Sequence, residues 1–354
     1  MPCLNRFGGG ISLKVSVEVT QEKVGYTNNH LNNARRNEKD EFYTKLEVIE
    51  KELIYHERYF KGKVIYCNCD NPFESNFVRY FMQNFSRLGL KRFIATSYVE
   101  QEINLFNPIP DTFGLVFDYK GDNKYLESLF HETDNQEKVE AVLKGEVQEL
   151  QGDGDFRSHE CKRYLEEADI VVTNPPFSLF REYINQLLRY KKDFIILGNL
   201  TACGYRDIFP LFKHGRIRFG HSISSGDVEF RVPNDYPLHG SYIRTDKEGN
   251  NYIRVAGIRW YTTLPPQEER EFIPLTKNYD PAKYPKYDNY DAINVNRTSD
   301  IPKDYDGVIG VPITYLDKHN PKQFEIVDFR KGVDGRDLRI NGEIPFSRIL
   351  IRKR

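Results

Sequence analysis

Short apolar segments alternate with segments of helical periodicity between residues 46 and 199. A run of four to eight apolar residues suits a strand buried on both faces, and apolar residues three or four apart suit a helix packed against such a sheet. The predicted strands are 63–70, 91–100, 169–174 and 192–199, and the predicted helices are 46–60, 74–88 and 179–190. This order predicts an α/β fold with a doubly wound, mainly parallel sheet.

The pattern changes after residue 200. Residues 254–264 (RVAGIRWYTTL) read as one more sheet strand, and Pro265-Pro266 then breaks the chain. Residues 267–354 are rich in Tyr, Asn, Asp, Lys and Arg and have little helical periodicity. We therefore expect a main domain over residues 38–265 and a smaller region over 266–354, preceded by an extension, residues 1–37, of unknown role.

Composition excludes several classes of protein. Hydrophobic residues make up 39% of the chain and charged residues 29%, which is typical of a soluble globular protein. No apolar run reaches membrane-spanning length and no signal pattern opens the chain, so we expect a cytoplasmic protein without a membrane partner. Cys67 and Cys69 have no usual zinc or redox spacing, and we expect no metal site.

The net charge of −1 does not indicate a nucleic-acid partner, but the charges are unevenly distributed. Residues 111–155 hold 12 acidic and 4 basic side chains, whereas residues 321–354 hold 9 basic and 5 acidic ones. A basic face on a neutral protein can bind phosphates. An ordinary solvated surface explains the same counts.

Three predicted strands are followed directly by residues suited to a ligand site. They are Asp70 to Phe73, Glu100, and Asn174 to Phe177. Ligands of open α/β sheets bind outside the carboxyl ends of the strands, so we expect these residues to lie close together. Glu100 is included only for its position, where a carboxylate can bind a ribose diol, and an exposed acid at a strand end is an equal alternative.

The tetrapeptide Asn174-Pro175-Pro176-Phe177 has a specific chemical use. The exocyclic amine of adenine or cytosine is a weak nucleophile because its lone pair is delocalised into the ring. Two acceptors, the Asn174 side-chain oxygen and the Pro175 carbonyl, would localise that lone pair, and the prolines would hold the corner rigid. An exposed Phe177 ring would stack on a flipped base. Two prolines that merely end a strand are the structural alternative.

These residues resemble the [DNS]-P-P-[FYW] motif of amino-methyltransferases that use S-adenosylmethionine. DEFYT (40–44), CDNPF (69–73) and QGDGDF (151–156) resemble further motifs of the gamma group, in its order. The strings YCNCDNPFESNF, GDGDFRS, DIVVTNPPFSLFREY, YPKYDNYDAINVN and GVPIT resemble EcoRI-type adenine-specific DNA methyltransferases, from about residue 38 to the C-terminus. One departure is that Glu74-Ser75-Asn76 stands where a glycine-rich loop is expected, and EcoRI-type enzymes share it.

The resemblance implies a Rossmann-like methyltransferase sheet, S-adenosyl-L-methionine as cofactor and a set of site residues. The catalytic residues implied are Asn174, Pro175, Pro176 and Phe177. Residues expected to bind the cofactor are Phe42, Tyr43, Thr44, Asp70, Asn71, Pro72, Glu100, Asp155, Phe156 and Asn174. A nucleophilic cysteine, as in cytosine C5 enzymes, is rejected because no Pro-Cys loop follows a strand.

The implied activity is direct methyl transfer to N6 of an adenine flipped out of double-stranded DNA, in a restriction-modification or orphan modification system. The enzyme is expected to act as a monomer, with a cognate restriction endonuclease in the same system but no direct contact. The C-terminal region would bind DNA through a set of aromatic and basic residues: Tyr284, Lys286, Tyr287, Tyr290, Arg297, Arg348, Arg352, Lys353 and Arg354. Each of these residues alone is more readily structural than base-contacting. Rival substrates are RNA adenine and protein glutamine, and a non-catalytic DNA-binding protein is a further alternative.

Overall fold

The computed structural model describes residues 42–99, 112–132, 136–234, 236, 243–331 and 335–354. The predicted extension over residues 1–37 and the candidate residue Glu100 lie outside the described residues. Within the described ranges the chain is a mixed α/β protein built on three sheets. No helix in those ranges is long and apolar enough to span a bilayer.

Helices and strands alternate up to about residue 213, and strands predominate after it. In chain order the strands are β1 (Tyr43–Thr44), β2 (Val64–Cys67), β3 (Arg92–Ser97), β4 (Leu115–Tyr119), β5 (Val147–Glu149), β6 (Ile170–Thr173), β7 (Asp193–Asn199), β8 (Arg218–Phe219), β9 (Asp227–Val232), β10 (Ile243–Thr245), β11 (Asn251–Ala256), β12 (Ile258–Thr262), β13 (Lys286–Tyr287), β14 (Tyr290–Asn294), β15 (Val308–Pro312), β16 (Phe324–Phe329) and β17 (Arg348–Lys353). The α-helices are α1 (Leu46–Leu53), α2 (Asn76–Leu88), α3 (Lys124–Glu132), α4 (Gln136–Leu143), α5 (His159–Glu167), α6 (Phe180–Arg189) and α7 (Phe209–Lys213). Short 3₁₀ helices lie at Glu57–Tyr59, Phe177–Leu179, Leu200–Gly204, Thr298–Asp300 and Ile313–Lys318.

The largest sheet has eight strands in the order β5-β4-β3-β2-β6-β7-β12-β8. Its four central strands, β3, β2, β6 and β7, run parallel. The pairs β3–β4, β4–β5, β7–β12 and β12–β8 are antiparallel, so the sheet is mixed and the expectation of a mainly parallel sheet is not confirmed. Apolar patterning predicts that a strand exists but not the direction in which it pairs with its neighbours.

The four strands predicted before residue 200 are confirmed as β2, β3, β6 and β7, each shorter than predicted. The predicted helix over 74–88 is α2, which begins after Ser75, whose hydroxyl accepts a hydrogen bond from the Phe77 N–H. It ends at Gly89, whose φ of 63° is left-handed. The predicted helix over 46–60 is shorter, because α1 ends at Leu53 and a separate 3₁₀ turn follows.

The prediction of one strand over residues 254–264 is wrong. β11 and β12 are separate strands that belong to different sheets, and only Gly257 lies between them. Gly257 has a φ of 70°, a left-handed conformation that reverses the chain's pleat and that glycine adopts without a steric cost. The chain therefore leaves one sheet and enters the next within a single residue.

Two smaller sheets complete the fold. β1, β9, β11 and β10 form an antiparallel sheet in the order β1-β9-β11-β10, and β13, β14, β15, β17 and β16 form a mixed sheet after residue 265. Apolar residues on both sides of residue 265 belong to one continuous buried cluster that includes Tyr261, Ile273, Ile309 and Tyr315. The C-terminal sheet is consequently packed on the central sheet rather than tethered beside it.

Candidate active site

The carboxyl ends of the parallel strands β2 and β6 bring two of the predicted motifs together. Asp70 follows β2, and its buried carboxylate accepts hydrogen bonds from the hydroxyls of Ser75 and Thr173, each at 2.6 Å. Thr173 is the last residue of β6 and directly precedes Asn174. The carboxylate therefore joins the end of β2, the start of α2 and the end of β6 at one edge of the sheet.

Burial raises the pKa of Asp70 from 3.8 to about 6, although the hydrogen bonds from Ser75 and Thr173 act in the opposite direction. Removing a carboxylate from water disfavours its charged form, and two neutral hydroxyl donors offset only part of that cost. Asp70 is thus a buried acid whose charge is stabilised by hydroxyl groups.

Asn71 and Pro72 form the turn between β2 and α2. The Asn71 side-chain oxygen accepts a hydrogen bond from the Phe73 N–H at 3.0 Å, and the Asn71 carbonyl accepts from the Ser75 N–H at 2.9 Å. Pro72 is buried within this turn. The side-chain oxygen of Asn71 therefore shapes the turn itself.

The two polar atoms of the Asn174 side chain differ in their hydrogen bonding. Its Nδ2 donates a hydrogen bond to the Phe42 carbonyl at 2.6 Å. Its Oδ1 is buried and has no hydrogen-bond partner among the described residues. Because a buried amide oxygen normally has a donor, this acceptor is suited to a group that the described residues do not supply.

The expectation of an exposed Phe177 ring is wrong. Phe177 is only 5% exposed, and its ring centroid lies 5.4 Å from that of Phe42 and 6.2 Å from that of Phe230. The 3₁₀ turn over Phe177–Leu179 directs the ring toward β1 and β9. Pro175 before it is buried and Pro176 is half-buried.

The Phe42-Tyr43-Thr44 segment lies beside Asn174. β1 pairs with β9, where Tyr43 is opposite Arg231 and Thr44 is opposite Phe230. The Thr44 carbonyl accepts a hydrogen bond from Asn76 Nδ2 at 2.8 Å, while the Phe42 carbonyl binds Asn174. β1 consequently connects the first turn of α2 with the corner after β6.

The loop that contains Asp155 and Phe156 lies against the end of β3. Gly154 has a φ of 79°, and a Cβ added there would lie 2.0 Å from the Ser97 carbonyl, so only glycine permits this approach. The Val99 N–H donates to the Asp153 carbonyl at 2.8 Å. Since β3 is adjacent to β2, the loop reaches the edge that holds Asp70.

Asp155 and Phe156 point to different partners. The Asp155 carboxylate accepts hydrogen bonds from the Arg157 N–H at 2.6 Å and from Arg157 Nε at 2.9 Å. Burial alone would raise the pKa of Asp155, but these bonds outweigh it and the pKa is lowered. Phe156 is buried edge-to-face against Tyr183, with ring centroids 5.0 Å apart.

Sequence analysis missed four residues that organise this edge: Asn68, Ser75, Thr173 and Tyr183. The Tyr183 hydroxyl donates to Asn68 Oδ1, while Asn68 Nδ2 is buried without a partner among the described residues. A polar residue placed directly after a strand of apolar residues was the available signal for Asn68. Tyr183 lies on a helix 115 residues away, and no local pattern announces that contact.

Comparison with known proteins identifies the family. A family model described as "Adenine-specific methyltransferase EcoRI" matches residues 30–354. The chain belongs to this family. The type II methyltransferase M.EcoRI of Escherichia coli is 45% identical over 330 residues, which cover 93% of this chain and 97% of that protein. M.MpnI of Mycoplasma pneumoniae is 36% identical over 305 residues, which cover 84% of this chain and 85% of that one. No solved structure matches the chain.

This member of the EcoRI-type family is an adenine-specific DNA methyltransferase. Burial raises the pKa values of Cys67 and Cys69 well above their usual range, which makes both thiols poor nucleophiles. Within the described ranges, no group of three or more His, Cys, Asp or Glu side chains is arranged to hold a metal ion.

The C-terminal residues expected to meet DNA in this methyltransferase differ in their surroundings. Tyr284 and Tyr287 are buried. The Tyr284 hydroxyl donates to the Asp300 carbonyl and the Tyr287 hydroxyl donates to Asn294 Oδ1, each at 2.9 Å. These contacts give both tyrosines a structural role. Arg348 is half-buried and donates to Asn294 Oδ1 at 3.0 Å. The exposed residues of the set are Lys286, Arg297, Arg352 and Arg354, while Tyr290 and Lys353 are half-buried.

Proposed function

We propose that this methyltransferase transfers the methyl group of S-adenosyl-L-methionine directly to N6 of an adenine flipped out of duplex DNA. The observation that carries the proposal is the buried, unpartnered Oδ1 of Asn174, at the carboxyl end of a central parallel strand. An exocyclic amine in hydrogen-bond reach of that oxygen would satisfy it.

The fixed orientation of the Asn174 amide supports this proposal. If its amide were rotated by 180°, Oδ1 would face the Phe42 carbonyl and two acceptors would repel each other, so the bond from Nδ2 to Phe42 fixes the oxygen on the opposite side. We propose that this oxygen and the Pro175 carbonyl together accept the two N6 hydrogens. The nitrogen then becomes more nearly tetrahedral, and its lone pair is available for an in-line attack without a covalent enzyme intermediate.

The residues at this edge fit the cofactor that the family resemblance implies. S-adenosylmethionine supplies an electrophilic methyl group on a positively charged sulfonium. In support, three buried polar atoms near the edge lack partners among the described residues: Thr44 Oγ1, Asn68 Nδ2 and Asn174 Oδ1. Buried polar atoms of this kind are expected to bind a polar ligand.

We assign the parts of the cofactor to different segments of the edge. Phe42, Tyr43 and Thr44 would hold its methionine end, Asp70, Asn71 and Pro72 would line its central part, and Asp155 and Phe156 would contact its adenine. Glu100 stays a sequence-based proposal for the ribose hydroxyls. The acidic side chains at the edge also suit a ligand that carries a sulfonium cation.

Phe177 is proposed as a wall of the pocket for the flipped base. Base flipping costs a few kcal/mol, which contacts in the pocket must offset. The ring's packing on Phe42 holds it next to the residue that anchors Asn174. A base bound to Asn174 Oδ1 would therefore meet a rigid aromatic surface.

We further propose that residues 38–265 form the methyltransferase domain and residues 266–354 a target-recognition region, in a monomer that acts in a restriction-modification or orphan modification system. The relatives named as type II methyltransferases support the first kind of system. A cognate restriction endonuclease would act on the same DNA sequence without contacting this enzyme.

The decisive experiment incubates unmethylated genomic DNA with the purified protein and S-adenosylmethionine, followed by sequencing that reads modified bases directly. N6-methyladenine within one short motif is the expected result. Asn174→Ala protein is the matched control and should leave the DNA unmodified. Unmodified DNA with the unaltered enzyme, beside methylation of RNA or of protein glutamine with labelled cofactor, would overturn the proposed substrate.

A further inference from the structure

The sheet formed by β1, β9, β11 and β10 has one apolar face and one charged face. Along β9 and β11 the residues alternate between the two, as a half-buried sheet requires. The inward set, which is buried, is Val228, Phe230, Val232, Ile253 and Val255. The outward side chains are mostly charged or aromatic, with Asp227, Glu229 and Ala256 among them. We call the set Tyr43, Lys45, Arg231, Arg244, Tyr252 and Arg254 the arginine–tyrosine face.

Strand register arranges this face as a regular row. Tyr43 on β1 is opposite Arg231 on β9, Arg231 is opposite Tyr252 on β11, and Tyr252 is opposite Arg244 on β10. Tyrosine and arginine therefore alternate across all four strands. The Arg231 guanidinium lies 4.8 Å from the centre of the Tyr43 ring, and the Arg244 guanidinium lies 4.3 Å from that of Tyr252. Such stacking orients the guanidinium groups. Both also donate to carboxylates, Arg231 to Glu74 at 2.9 Å and Arg244 to Glu229 at 3.1 Å.

The charges of the arginine–tyrosine face point outward. Glu229 is surrounded by the side chains of Lys45, Arg244 and Arg254. Hydrogen bonds from Arg244, which has the larger effect, and from Lys45 lower the pKa of Glu229 to about 2. The side chains of Arg244 and Arg254 are 50% and 58% exposed, whereas that of Glu229 is only 18% exposed. Glu229 thus lies beneath three cations. The four cations of the face exceed the carboxylates on the same side, which are Asp227, Glu229 and Glu74, by one charge.

The arginine–tyrosine face is continuous with the proposed active site. Tyr43 belongs to the face, and its neighbour Phe42 binds Asn174 through the carbonyl and packs against Phe177. A duplex that delivers a flipped nucleotide to Asn174 must pass its sugar–phosphate backbone over the surface next to that pocket. β1 places this row of guanidinium groups there.

We propose that the arginine–tyrosine face binds phosphates of the substrate DNA beside the flipped adenine. Guanidinium groups match phosphate geometry, and contacts to phosphate position a protein on DNA without reading its sequence. This surface lies outside the C-terminal region to which sequence analysis confined DNA binding. Its role is to hold the backbone while other residues select the site, so it contributes affinity equally for any sequence.

The test measures duplex binding by fluorescence anisotropy between 50 and 200 mM KCl for the full chain and for the double variant Arg244→Gln/Arg254→Gln. Two duplexes of equal length and unrelated sequence serve as probes. The plot of log K against log salt concentration has a negative slope. Each lost phosphate contact is expected to make this slope less negative by about 0.9. For the double variant we therefore expect a slope that is less negative by about 1.8. Both duplexes should bind more weakly by the same factor, and the dissociation constant for S-adenosylmethionine should be unchanged.

The matched control is Arg87→Gln. Arg87 has a 53% exposed side chain paired with Glu57, near the C-terminal end of α2, which points away from the proposed active site. A slope for the double variant equal to that of Arg87→Gln would overturn the proposal, and so would a loss confined to one of the two duplexes.

A second variant tests the proposal in the opposite direction. Glu229→Gln removes the carboxylate that three cations share, so the face should bind DNA more tightly and with a steeper salt slope. Weaker or unchanged binding by folded Glu229→Gln protein would contradict a phosphate-binding role. Both experiments measure DNA binding and not methylation. Their outcome is therefore independent of the catalytic roles proposed above.

Discussion

Asn174 and Phe42 are joined by a 2.6 Å hydrogen bond from the asparagine Nδ2 to the phenylalanine carbonyl, across 132 positions of sequence. This bond determines which atom of the Asn174 amide remains to act on a substrate. The buried Oδ1 that remains has no partner among the described residues. The proposed chemistry of the enzyme depends on that acceptor.

Asn174→Ala should slow methyl transfer strongly while cofactor and DNA binding are largely retained. Removal of one preorganised hydrogen-bonding group that stabilises a transition state costs about 10²–10³ in kcat, and we expect a decrease of that size. Single-turnover methylation of duplex DNA at saturating cofactor measures it. Asn84→Ala is the control, because the hydrogen bonds of Asn84, to the Tyr80 carbonyl and from Arg87 Nε, stay within α2. Turnover at the wild-type rate by Asn174→Ala would remove Asn174 from the mechanism.

Phe177→Leu should weaken capture of the flipped base and leave the protein folded. Leucine nearly fills the volume between Phe42 and Phe230 but offers no aromatic face, whereas Phe177→Ala would also open a cavity costing about 3–5 kcal/mol. With 2-aminopurine at the target position, the fluorescence change on binding should differ from that of the wild type in both variants. An identical change would argue against contact between the ring and the base.

Asp70 should make the stability of the ligand-free enzyme depend on pH. Its pKa is raised by burial from 3.8 to about 6, so the fold prefers the protonated acid. The associated stability is complete below pH 4 and is lost as the pH rises through about 6, with a total of about 3 kcal/mol. Urea unfolding at pH 4.5 and 7.5 measures this loss in the wild type.

Asp70→Asn isolates that effect from other titrating groups. The amide introduced in the variant cannot ionise, so only the wild type should lose stability through this group as the pH rises. The variant should therefore become more stable relative to the wild type at higher pH. A difference that stays constant from pH 4.5 to 7.5 would show that Asp70 does not titrate in this range. We also expect Asp70→Asn to bind S-adenosylmethionine more weakly.

Asp317→Ala should destabilise the fold strongly, because Asp317 forms a buried ion pair with Arg259. Both side chains are 3% exposed, with contacts at 2.8 and 2.9 Å, and the pair joins β12 to the 3₁₀ helix at Ile313–Lys318. Removing one partner leaves an uncompensated buried charge, which costs about 3–5 kcal/mol.

Glu325→Ala provides the comparison for that prediction. Glu325 pairs with Arg352 at the surface, where the side chains are 41% and 49% exposed, and such pairs contribute about 0–1 kcal/mol. Denaturant unfolding of the two variants should therefore give clearly different losses of stability. Equal losses would mean that the Arg259–Asp317 pair does not hold the C-terminal sheet to the central one.

Residues 112–168 show where local patterns were insufficient to predict the fold. They contain β4, β5 and the helices α3, α4 and α5, which sequence analysis left unassigned although residues 115–119 (LVFDY) form a short apolar run. The antiparallel side of the sheet was missed with β4 and β5. Even a recognised apolar run would not have given the direction of its strand.

The sequence by itself determined the central parallel strands, the helix over Asn76–Leu88 and the chemistry expected of Asn174 and Pro175. Apolar periodicity is a local property, and the motif residues follow strands that could be recognised locally. Only the tertiary structure decided that Phe177 is buried, that Asp70 binds Thr173, and that Asn174 turns its oxygen away from Phe42. These relationships join residues more than 100 positions apart or depend on which strands become neighbours. Strand order is set by packing of the whole chain, so no local pattern contains it.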